Sequence, residues 1–216
     1  MSRRSLFIAS AVVLVAAFIV AALFYKSERL ERQGMAAGAR PEVFARDHAP
    51  SLGGAQAKVQ IVEFLDPACE TCAQFYPHVK RMLAEHSGKI RLTVRHIPLH
   101  PGVADVVRAL EASRKQGRYW QALEALLANQ SLWVENHVAS IDRAWAVLAA
   151  IGLNMDQLRA DMSDPELARR MELDRADAQA LNVTKTPEYF VNGRPLPSFG
   201  LEQLRSLVAQ ALSSAY

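Results

Sequence analysis

"EFLDPACETCAQFYP", residues 63–77, holds the only two cysteines of this 216-residue chain, Cys69 and Cys72. The stretch changes character in its middle. Upstream, "KVQIVEF" (58–64) places Val59, Ile61, Val62 and Phe64 close together, which predicts a buried strand. "DPAC" then breaks the strand, and a helix is predicted from Cys69 to about His86, with Phe75 and Val79 facing inward. Pro77 inside it removes one backbone hydrogen bond and predicts a kink.

A thiol at a helix start sits among unpaired backbone N–H groups at the positive end of the helix dipole, and both favour the thiolate. The thiolate is the attacking species, so Cys69 is the candidate nucleophile. Cys72, one turn further in, is the candidate resolving thiol. Two rival chemistries remain. A static bridge across two residues removes little chain entropy, so a structural staple explains the spacing poorly. His96 and His100 would complete C-x2-C-x23-H-x3-H, but zinc-finger halves lie closer together, and here the histidines close a core strand.

Outward from this stretch, "KIRLTVRHIPL" (89–99) is a second strand, with Ile90, Leu92 and Val94 alternating with Arg91, Thr93 and Arg95. From Gly102 to Leu181 the pattern is helical throughout. Val103, Val106, Val107 and Leu110 share one face, as do Ile141, Ala144, Trp145 and Leu148. Asn154 with Gln157 forms a capping box, and Asp164-Pro165-Glu166 opens a helix. "EYFVNGRPLP" is a strand, an Asn-Gly turn and a short strand, and "LEQLRSLVAQAL" is a closing amphipathic helix. A parallel strand–helix–strand pair joined to an antiparallel hairpin predicts an α/β fold with a mixed central sheet. The helical block over about 102–182 is too long for one crossover and is expected to form an inserted subdomain.

The N-terminal part has its own reading. Residues 6–25 are twenty in a row without a charge, and a helix of that length covers about 30 Å, one hydrocarbon core. They predict a transmembrane signal anchor over 1–25, followed by a linker over 26–50 with a helical start continuing from the anchor, and a folded domain from Ser51 to Tyr216. A cleaved signal is the alternative, with Ala37-Gly38-Ala39 as its nearest small-x-small site. Residues 1–50 carry seven Lys/Arg against four Asp/Glu, whereas 51–216 carry eighteen of each. The excess of +3 therefore belongs to the N-terminal part, and the neutral domain has no basic footprint for nucleic acid. Arginines and lysines flank both ends of the apolar run, so charge does not orient it. Redox work by the cysteines favours an oxidising exterior, the periplasm or its equivalent.

Glu63, six residues before Cys69 in an otherwise apolar strand, is expected beneath the dithiol with a raised pKa, where it can move a proton for Cys72. The alternative is a carboxylate at a solvent edge. Asp66 reads as a turn residue, and Glu70, between the cysteines, opposes the thiolate.

Taken together, "VEFLDPACETC", "RHIPLHPGVA", the helical insertion and "VTKTPEYFVNGR" resemble the DsbA-like branch of the thioredoxin fold over about residues 55–213. The resemblance implies a membrane-anchored thiol–disulfide oxidoreductase working through a redox-active Cys69-Cys72 disulfide, with no other cofactor and no metal. It implies that Pro187 is a cis-proline facing the dithiol and that Thr186 pairs with the substrate backbone. Unfolded or cysteine-containing proteins would be substrates, and a DsbB-like protein or a reductase in the membrane would be the redox partner. The family pattern has glycine before that threonine and a small or hydroxyl residue after the proline. Lys185 and Glu188 stand there instead. Glu70-Thr71 departs from the Pro-His type and is expected to tune the potential. Oxidase ranks before reductase, and a metal-binding or assembly protein on the same fold is the rival class.

Overall fold

The structure, a computed structural model, describes residues 3–39, 41–44 and 46–216. Helix α1 spans Arg3–Ala39, and its stretch Ser10–Glu28 is long and apolar enough to cross a membrane. Strands β1 (Ser51–Gly53) and β2 (Val59–Leu65), helix α2 (Glu70–Glu85) and strand β3 (Ile90–His96) follow. The insertion consists of α3 (Val103–Ala112), α4 (Tyr119–Ala128), α5 (Gln130–Trp133), β4 (Val134–Glu135), β5 (Val138–Ala139), α6 (Ile141–Ala150), α7 (Met155–Asp161) and α8 (Pro165–Ala180). Strands β6 (Glu188–Val191) and β7 (Arg194–Pro195) and helix α9 (Leu201–Ala215) close the chain.

Five strands form one sheet in the order β1-β3-β2-β6-β7, with β2 and β3 parallel and the other neighbours antiparallel. The mixed sheet contains the four expected strands, with the parallel pair supplied by the β2–α2–β3 crossover, and β1 adds an unexpected fifth beside β3. Asn192 and Gly193 both take positive φ, 47° and 76°, as a two-residue hairpin of this hand requires. The Asn192 side chain also accepts from the Gln60 N–H at 2.7 Å, tying the turn to β2.

Period-2 alternation sorts β2 between two cores. Val59, Ile61 and Leu65 join the larger one with α2, α9 and the insertion. Val62 and Phe64 join the smaller one with Phe190, Ile97, Leu181 and Val43. Both faces are thus covered, which is why the strand reads as almost continuously apolar. Helix α2 continues through Pro77 rather than ending there. Asn154 caps α7 by accepting from Gln157 N–H, and Asp164 caps α8 by accepting from Glu166 N–H.

Two expectations need correction. The helical start of the linker over 26–50 runs as far as Ala39, and packing against the domain begins before Ser51; Arg40 and Ala45 lie outside the described residues. Val43 is buried, Arg46 makes a two-pronged pair with Asp177 at 2.7 and 2.8 Å, and His48 lies 2.6 Å from Asp174. The insertion is not helical throughout, because β4 and β5 form a small hairpin. On the second face of β3, Arg95 is fully buried, bonded to Asp174 and Asp177 at 2.7 and 2.6 Å and to the Val43 carbonyl. A buried guanidinium needs counter-charges, α8 provides two, and Val43, Arg46 and His48 close over them. Burial alone would raise both carboxyls, but His48 and Arg95 around Asp174, and Arg46 and Arg95 around Asp177, outweigh it and hold both low.

Candidate active site

Cys69 is the N-cap of α2, with extended backbone (φ −76°, ψ 117°), so its side chain stands at the open end of the helix. Asp66 sets this geometry. Its carboxylate accepts from the Ala68 N–H at 2.8 Å, from the Leu99 and His100 N–H groups at 2.7 and 2.9 Å, and lies 2.8 Å from His100 Nδ1. The buried aspartate thereby joins the turn before Cys69 to the exit of β3. It does more than the turn residue expected from sequence.

Both cysteines are free thiols, Cys72 fully buried and Cys69 nearly so. The Thr186-Pro187 peptide bond is cis, and the Thr186 carbonyl oxygen lies 3.3 Å from Cys69 Sγ, a contact the thiol form makes by donating. Segments more than a hundred residues apart in sequence thus flank one sulfur. The Cys69 pKa is lowered to about 5, first by a hydrogen bond from the Cys72 thiol, then by the Thr186 side chain and the Cys72 and Thr71 N–H groups, against an opposing burial effect. Burial and the neighbouring Cys69 and Glu63 drive Cys72 the other way, well above the ordinary thiol range. One exposed-side thiolate paired with one buried, protonated thiol is the division of labour that exchange requires.

Glu63 sits on the Ile61–Leu65 face of β2, towards α2, and is fully buried. It pairs across the ladder with Tyr189, whose hydroxyl donates to Oε1 at 3.0 Å, while Oε2 has no partner among the described residues. Burial raises its pKa to about 8, opposed by the Tyr189 bond and supported by the charge of Cys69. The solvent-edge alternative is therefore excluded. Tyr189 had no signal in the sequence, because its role depends on the β2–β6 register.

Glu70 is exposed and Thr71 half-buried at the start of α2. His96 and His100 do not join the cysteines in a shared cluster. His96 lies 2.7 Å from the Tyr119 hydroxyl, and His100 is held by Asp66. Among the described residues no three His, Cys, Asp or Glu side chains converge as metal ligands.

Residues 46–210 match a family model described as thioredoxin, and the chain belongs to that family. It is similar to a solved thioredoxin-like oxidoreductase from Silicibacter pomeroyi DSS-3, at 29% identity over 82% of this chain and 99% of that one, with a TM-score of 0.71. The thiol-disulfide exchange protein alpha-DsbA2 of Wolbachia pipientis shares the fold at 18% identity, 85% and 97% coverage and a TM-score of 0.72. Among curated proteins, the Na(+)/H(+) antiporter NhaA 3 of Salinispora tropica is 33% identical over 174 residues, 79% of this chain and 25% of the antiporter. The chain spans about a quarter of the length of the curated relatives it matches. The fold is shared with that thiol-disulfide exchange protein and that thioredoxin-like oxidoreductase.

Proposed function

We propose that this thioredoxin-family chain is a membrane-tethered oxidase of protein thiols, held by residues 6–25 with its domain on the periplasmic side. The observation that carries the reading is the opposed pair of thiol environments at the start of α2, beside the Thr186 carbonyl. A thiolate stable at pKa about 5 is a good leaving group and favours the reduced form, so the corresponding disulfide is oxidising.

In the oxidising direction, a substrate thiolate attacks Cys69 Sγ of the Cys69-Cys72 disulfide. The S–S bond breaks, the electron pair stays on Cys72, and a substrate–Cys69 disulfide forms. Cys72 takes up a proton, for which Glu63, protonated at neutral pH, is the nearby donor. A second substrate thiolate attacks the substrate sulfur of the mixed disulfide and expels Cys69 as thiolate. The substrate gains a disulfide, and the enzyme is left with the Cys69 thiolate, the Cys72 thiol and a Glu63 carboxylate that regains its proton from solvent. Reoxidation passes two electrons to a membrane partner of the DsbB-like type; a reductase partner would run the cycle backwards. Thr186 and Pro187 present the substrate backbone, Glu70-Thr71 tunes the potential, and no bound cofactor takes part.

The test uses the full-length chain in detergent. It should equilibrate with glutathione at a measurable potential and oxidise reduced model proteins. Cys69→Ser should abolish exchange, and Cys72→Ser should trap mixed disulfides. A dithiol that retains stoichiometric copper or zinc and exchanges with no disulfide sinks the proposal.

A further inference from the structure

Lys185 immediately precedes Thr186. It is exposed, and its ammonium lies 5.4 Å from the centroid of the Phe199 ring. Phe199 is 43% exposed and stacks on Phe75 of α2 at 4.9 Å, and Phe75 stacks on Tyr189 at 6.2 Å. The aromatic wall is thus rooted in the helix that carries the dithiol and in the strand that bonds Glu63. Cation–π contact ties the ammonium to this aromatic wall. Among the described residues, no carboxylate pairs with Lys185. Glu70, at the exposed start of α2, carries the opposite charge.

A substrate cysteine bonded to Cys69 lies about 2 Å from a sulfur that is itself 3.3 Å from the Thr186 carbonyl. Neighbouring Cα atoms are about 3.8 Å apart, so residues flanking that cysteine pass within reach of the long lysine stem. We infer that Lys185, held against the exposed Phe199 ring, is a specificity residue that favours substrate cysteines flanked by acidic side chains. The inference rests on the thiol-exchange reading. Lys185 adds an exposed cation one residue before the carbonyl that lies beside Cys69 Sγ, and the partly exposed Phe199 ring gives the flanking segment an apolar footing.

The experiment follows oxidation of the reduced full-length chain in detergent by three disulfides: the homodimer of a Cys peptide flanked by Asp, its Lys-flanked counterpart, and neutral 2-hydroxyethyl disulfide. Each peptide rate is divided by the neutral one, which removes changes in the intrinsic reactivity of Cys69. An exposed ion pair corresponds to roughly a two- to fivefold preference. Lys185→Ala should lower the acidic-to-basic ratio by about that factor, Lys185→Glu by roughly its square, and high salt should erase the differences. A ratio that is the same in all three proteins overturns the inference while leaving the exchange activity standing. If the wild-type chain reacts with none of the three disulfides, the exchange reading fails and the inference falls with it.

Discussion

Replacing Glu63 by glutamine should remove a pH dependence from the stability of the fold. In the folded chain the carboxyl has a pKa near 8, against an ordinary value of 4.5. Above pH 4.5 the unfolded chain releases this proton while the folded chain keeps it, so folding binds a proton and stability falls as pH rises. The loss starts near 4.5, grows by up to about 1.4 kcal/mol per pH unit, and levels off above 8. Between pH 5 and pH 7.5 it amounts to about 3 kcal/mol. Glutamine does not titrate and still accepts the Tyr189 hydroxyl. Its NH2 group, however, enters the space where Oε2 has no partner, at a cost of about 1–3 kcal/mol. The absolute stabilities at neutral pH can therefore lie close together, and the informative quantity is the difference between the two pH profiles. Urea unfolding of the reduced full-length chain in detergent, followed by the fluorescence of its three tryptophans, measures both. The variant should gain on the wild type by about 3 kcal/mol from pH 5 to pH 7.5. Profiles that run parallel would refute a protonated Glu63 in the folded chain.

The same variant should release mixed disulfides more slowly with little change in equilibrium potential, because the proton donor for Cys72 is gone; an unchanged rate would reduce Glu63 to a structural role. Ultraviolet absorbance of the thiolate should titrate near pH 5 in the reduced chain and shift upward in Cys72→Ala, since the Cys72 hydrogen bond is the largest lowering influence. A midpoint still near 5 in that variant would contradict the attribution. Arg95→Met strips two buried carboxylates of their shared partner and should cost roughly 3–5 kcal/mol, partly recovered by adding Asp174→Asn and Asp177→Asn. An unfolding midpoint equal to that of the wild type would show that the cluster contributes nothing to the fold.

Much of the molecule was legible from local pattern. The apolar run 59–65, the break at Asp66-Pro67, the caps at Asn154 and Asp164 and the Asn192-Gly193 turn each report a preference of a few neighbouring residues, which the fold keeps. The dithiol and the buried carboxylate beneath it belong to the same class. Cys69 has the Cys72 thiol and the Thr71 and Cys72 N–H groups around it because it begins a helix, and Glu63 is buried because it shares a strand face with Ile61 and Leu65. Tertiary structure decided what depends on register and on contacts between distant segments. The partner of Glu63 is Tyr189 only because β2 and β6 pair Glu63 with it; a slip of one residue would turn the tyrosine to the other core. Arg95 reads as one more polar position of an alternating strand until α8 brings Asp174 and Asp177 over it and Val43, Arg46 and His48 close the cover. Short-range sequence reports the backbone preference of each element. The field around a charged side chain is set by whichever elements pack against it, and no window along the chain contains them.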